Sequence, residues 1–146
     1  VAALDVSDGH YTVSDKKMFG IASLKAVHIE GAIEYGQGSL GALLKSPPIT
    51  IHNSGNVTLS TLNISSKPLL CTRGSIPPLA QRFSFQDKVT NDQLIALSPN
   101  GTADVSMMLE KSNRSRTSSV SVFWWLSVPR VGVGGVCNGT TSYSAL

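Results

Sequence analysis

The chain has 146 residues, a formal net charge of +3 and only 14% charged side chains. One domain of this size can bury a core, and so small a charge, with its densest basic patch at Lys111, Arg114 and Arg116 free of aromatics, argues against a nucleic-acid partner. Ser, Thr, Asn and Gly carry the polarity instead of the usual quarter of charged residues, a composition that suits an extracellular β-protein better than an intracellular enzyme.

The chain opens Val1-Ala2-Ala3-Leu4-Asp5-Val6 without a Met, which fits a product whose export signal has been removed. Ala2, Leu4 and Val6 alternate with Val1, Ala3 and Asp5 as in a strand, and Ser7-Asp8-Gly9 interrupts before residues 10–13 resume the pattern. Such a strand can pair with its own sheet or leave and add to another molecule by β-augmentation. Asp5, Asp8 and Asp15 are spaced too loosely for a calcium loop.

Period-two alternation then dominates. Val27, Ile29, Ile33 and Tyr35 alternate with Ala26, His28, Glu30 and Glu34; His28 and Glu30 would share a polar face. Ile49 and Ile51 flank Thr50, and Phe83 and Phe85 flank Ser84. Ala103, Val105, Met107 and Leu109 form one run, and Val120, Val122, Trp124, Leu126 and Val128 form the longest. Val57 and Leu59 are out of phase with Leu62 and Ile64, which predicts a bulge or bend near Ser60-Thr61 and turns Asn63 to solvent. Gly- and Pro-rich turns separate the runs. Only residues 91–97 and 41–45 leave room for a helical turn. The expected fold is all-β, a single antiparallel sandwich of the Ig-like or jelly-roll type.

Five of the seven asparagines, Asn56, Asn63, Asn100, Asn113 and Asn138, stand in N-x-Ser/Thr sequons. Chance would place about 1.5 there. A glycan must face solvent, so the excess implies an exported glycoprotein. The two cysteines, Cys71 and Cys137, would then form one disulfide, a link across the core, the alternative being two buried free thiols. No apolar run is long enough for a membrane-spanning helix.

Catalytic signatures are missing. The sequence has no HExxH, no P-loop and no GxSxG elbow, and it implies no metal and no cofactor. The aromatics say more. In Phe123-Trp124-Trp125, strand geometry sends Trp124 to the core with Val122 and Leu126, and sends Phe123 and Trp125 to the opposite face. Two large rings on an outer face imply a covered surface. The cover is either this domain's own chain or a neighbouring subunit, glycan or ligand.

The stretch Pro48-Ile-Thr-Ile-His-Asn-Ser-Gly-Asn-Val-Thr-Leu-Ser-Thr-Leu-Asn-Ile-Ser65 resembles a strand–turn–strand of secreted Ig-like domains of archaea and bacteria. The close, from Phe123-Trp-Trp-Leu-Ser-Val-Pro129 through Val131-Gly-Val-Gly-Gly135 to Thr140-Thr-Ser-Tyr-Ser-Ala145, is similar to the end of such domains. A short member rich in sequons looks like an archaeal pilus-like filament subunit, of the bundling-pilin and thread type related in fold to the bacterial biofilm matrix protein TasA. That resemblance implies polymerisation by donor-strand exchange between identical subunits, for adhesion or a biofilm matrix. Residues 1–14 would hold the donor segment, with Val1, Ala2, Ala3, Leu4, Asp5 and Val6 as the strand itself, and residues 15–146 the sandwich. The rival expectation is a cell-surface adhesin, sugar-binding module or viral surface domain that uses Phe123 and Trp125 as its contact face.

Overall fold

A computed structural model describes residues 22–113 and 115–146. The expected donor strand, the Asp5–Asp8–Asp15 grouping and the boundary at residue 14 lie outside the described residues. The fold is an antiparallel β-sandwich, as the alternation predicts.

The strands are β1 (Val27–Glu30), β2 (Leu43–Lys45), β3 (Ile49–Asn53), β4 (Leu59–Ser66), β5 (Leu69–Arg73), β6 (Ser75–Ile76), β7 (Gln81–Ser84), β8 (Ile95–Ala96), β9 (Thr102–Leu109), β10 (Ser119–Ser127), β11 (Gly134–Asn138) and β12 (Thr141–Ala145). The first layer runs β1-β3-β10-β7-β8, with β2 also on β10. The second is built from β12-β4-β9 and β11-β5-β6. Two breaks divide this layer. Lys67-Pro68 interrupts the central strand between β4 and β5, and Gly139-Thr140 interrupts the flanking strand between β11 and β12. Lys67 N donates to Thr140 O at 3.0 Å across both breaks, so the layer is one kinked ribbon.

Side chains from both layers meet in one apolar cluster. Ile49, Ile51, Phe83, Val122 and Trp124 come from the first layer, and Leu62, Ile64 and Val105 from the second. Each such fully buried side chain contributes about 1.5–3 kcal/mol over leaving it in water. A smaller cluster of Ile76, Leu126 and Val133 fills the end nearest β11.

The phase change in β4 falls where the sequence puts it, because Leu59, Leu62 and Ile64 are all buried. Its construction differs from the expectation of an extra residue in that strand. Leu59 pairs with Leu109 and Thr61 with Ser106, so Ser60 faces both Met107 and Met108, and the surplus residue lies in β9.

Three local expectations have different outcomes. Residues 41–45 hold β2 in place of a helical turn, because Leu43, Leu44 and Lys45 complete the edge of β10 opposite Ser127, Leu126 and Trp125. The helical turn expected within residues 91–97 is present as one 3₁₀ turn at Asn91–Gln93, closed by a capping box from Thr90 to Gln93 and followed by β8, and a further 3₁₀ turn at Pro78–Ala80 lies outside both expected stretches. The run from Val27 to Tyr35 keeps its burial alternation, with Ile33 and Tyr35 packed on the core, but its ladder stops at Glu30. Gly31 turns away at φ +99°. The residues that would face 32 and 33 are Pro48 and Pro47, which have no N–H to give.

Candidate functional site

The interruption at Gly31 opens a groove of about 1100 Å³ at one end of the sandwich. It begins at the level of Ile29 and Ile49. One rim is the segment 31–40; the other is β11 with the start of β12. Its floor is apolar, with Leu69, Ile76, Leu126 and Val133 among the lining side chains, and Glu34 and Arg73 are its charged members.

Residues 32–38 form the rim without belonging to a strand, and Gly36 turns the chain within them at φ +74°. Among the described residues their main chain makes no hydrogen bond to another main-chain group. Glu34 N donates instead to Ser46 Oγ at 2.8 Å. The remaining N–H and C=O groups of the segment are open to a hydrogen-bonding partner.

A buried polar relay fixes that rim to both layers. Tyr35 Oη donates to Gln81 Oε1 at 2.8 Å, and Gln81 Nε2 donates to Ser66 Oγ at 2.9 Å. Ser66 shares a further bond of 3.0 Å with Thr141 Oγ1. Gln81 is 1% exposed, so each of its amide atoms requires the partner it has. Burial pushes the Tyr35 phenol well above its ordinary range, and the nearby Tyr143 adds to this. Sequence reasoning missed this relay; the signal for it was a Gln at an inward position of a strand.

The chain reaches β1 from the other end. Asn56 Oδ1 accepts from Leu24 N at 2.6 Å, and Asn56 Nδ2 donates to Ala22 O at 3.0 Å. Asn56 N donates to Leu24 O and Ser54 N to Ala26 O, each at 3.0 Å. Residues 22–26 are therefore held beside the Asn53–Asn56 turn, and the groove lies past Glu30 at the far end of β1.

The disulfide forms between Cys71 and Cys137. It does not cross the core. Cys71 and Cys137 are direct cross-strand partners of β5 and β11, so the bond staples two neighbouring strands of one layer. A bulge adjoins it, in which Gly135 and Val136 face Thr72; Gly135 has φ +82°, and a Cβ there would lie 2.4 Å from that of Thr72.

None of the five sequon asparagines is buried. Asn100 is exposed in the turn Ser98–Gly101, where Gly101 at φ +81° lets its backbone come against Ser66 O. Asn113 is exposed, and its Oδ1 accepts from both N and Oγ of Ser115 at 3.0 Å, a contact within the sequon itself. Asn63 is half-exposed and donates to Asp104 Oδ1 at 2.7 Å. Asn138 is exposed at the end of β11.

Trp124 is fully buried, and Phe123 and Trp125 lie half-buried on the opposite face, as the strand geometry requires. Lys45, the cross-strand partner of Trp125, sets its ammonium 5.3 Å from the Phe123 ring centre and 5.1 Å from that of Trp125. Asp87 pairs with the same ammonium. Part of the cover over these rings thus comes from the domain. On β1, Glu30 bonds across to His52 at 2.8 Å, and His28 stacks on His52 with centroids 5.9 Å apart. The described residues contain no group of acids, histidines or cysteines able to hold a metal ion, and no helix long and apolar enough to cross a membrane.

Compared with models of known protein families and with curated proteins, the chain matches none.

Proposed function

We propose that this chain is an exported, N-glycosylated structural subunit that polymerises head to tail, the N-terminal strand of one copy completing the groove of the next. The observation that carries this reading is the arrangement of the two ends of β1. An apolar groove with an unpaired rim lies at one end, and the chain is anchored through Asn56 at the other. Ala22 is held at the Asn56 end of β1, the end opposite the groove. Residues 1–6, fully extended, would span roughly 20 Å. A strand placed in the groove would satisfy the open main-chain groups of the rim and bury Ala2, Leu4 and Val6. Repetition of such a contact from copy to copy is heterologous and builds a filament when the rotation does not close. The disulfide and the exposed sequons support an extracellular setting.

Deleting residues 1–7 tests the proposal. Intact chain should give long filaments in negative stain, and the deleted chain a monomer. A peptide of sequence 1–7 should bind that monomer and raise its Tm in proportion to log concentration. Filaments from the deleted chain would reject the reading.

A further inference from the structure

We propose that a glycan on Asn138 lies over Leu70 and Val136 and acts as an attached cover for this part of the second layer. The inference rests on the glycoprotein part of the reading above and not on assembly.

Leu70 is 68% exposed and Val136 70% exposed, an apolar pair on the outward side of β5 and β11. Asn138 is the direct cross-strand partner of Leu70. It also shares the outward side of β11 with Val136, two residues away. Side chains so paired stand about 5 Å apart at Cβ. The first sugar rings on Asn138 Nδ2 would therefore sit beside both apolar side chains, with their C–H faces available to them. The staple makes the placement fixed. Cys71 and Cys137 are the next pair along the same ladder, so the register that sets Asn138 against Leu70 cannot slip. The other sequon set in a strand lacks this neighbourhood: Asn63 has Asp104 on one side and Ser144 on the other, both polar.

The test uses the full chain from its native host. Glycopeptide mass spectrometry should find Asn138 modified. Asn138→Gln, and separately Thr140→Ala, which keeps the asparagine but removes the sequon, should each raise hydrogen exchange across residues 69–73 and hydrophobic-dye fluorescence several-fold. Asn100→Gln, which removes a sugar from a turn, should change neither. Adding Leu70→Ser to Thr140→Ala should return the dye signal to the parental level. An unmodified Asn138, or equal responses to losing the Asn100 and Asn138 sequons, would overturn the proposal. Val136 and Asn138 also line the β11 rim of the groove, so occupancy, exchange and dye signal are read on the chain lacking residues 1–7 as well as on the intact chain, and filament formation is read separately by microscopy; either idea can then fail without the other.

Discussion

Trp124 on β10 donates its indole N–H to the Tyr143 hydroxyl of β12 at 3.0 Å, tying the two layers together through the middle of the sandwich. The same indole packs against Phe83, with ring centres 5.1 Å apart, and is 0% exposed. Trp124→Ala removes the ring and leaves Tyr143 without its donor, and should cost about 3–5 kcal/mol. Trp125→Ala removes a half-exposed ring whose specific partner is Lys45, worth about 1 kcal/mol. Urea unfolding of both variants checks the difference; equal losses would contradict the two-faced strand.

Alkaline pH should unfold the protein sooner than its composition suggests. Burial raises the phenols of Tyr35 and Tyr143 above their ordinary value. The folded state then keeps protons that the unfolded state releases above about pH 10. Their contribution is fully present below that pH and declines as pH rises through it toward the folded values. Tm should be flat from pH 7 to about 9 and fall beyond 10. Tyr143→Phe should make the fall shallower, and an unchanged slope would refute the assignment.

Tyr35→Phe should cost about 1–3 kcal/mol, because it leaves Gln81 Oε1 buried and without its donor. Hydrogen exchange across residues 32–38 should rise as the rim loses its anchor. Tyr35→Phe combined with Gln81→Leu should be less damaging than the two single losses added, by more than about 0.5 kcal/mol. Simple additivity would mean that the relay does not act as a unit.

Replacing Cys71 and Cys137 by Ser should lower stability by about 4 kcal/mol, from the loop spanning 66 residues. Because the staple joins strands of one layer, the core of Trp124 and Phe83 should survive. Near-ultraviolet circular dichroism of the folded variant should keep its aromatic bands, and their loss would place the disulfide in a more central role.

The fold was legible where one face of a strand is buried. Ile49/Ile51, Val105/Leu109 and Val122/Trp124 each announce an inward side, and burial enforces it. The shortest elements were not legible, since β2 and β8 are decided by what β10 and β7 offer rather than by their own residues. The disulfide partners could be named from a count of two, but their ladder position could not, because pairing of β5 with β11 is non-local. The groove was hidden for a related reason. Gly36-Gln37-Gly38 reads as a turn, but nothing within residues 32–35 says that they are unpaired; for 32 and 33 that follows from Pro48 and Pro47 being the residues that would face them.

Between the Leu59–Leu109 and Leu62–Val105 pairs, β4 has three steps and β9 has four. The chain is thus one residue short on one side of a ladder whose apolar ends already match. Such a site has an unequal tolerance to insertion and deletion. A small apolar residue added between Ser60 and Thr61 would restore equal lengths, keep Leu59 and Leu62 inward, and erase the irregularity opposite Met107-Met108. Removing Ser60 would widen the mismatch to two. Homologous chains that differ in length here should therefore gain a residue in β4 and not lose one.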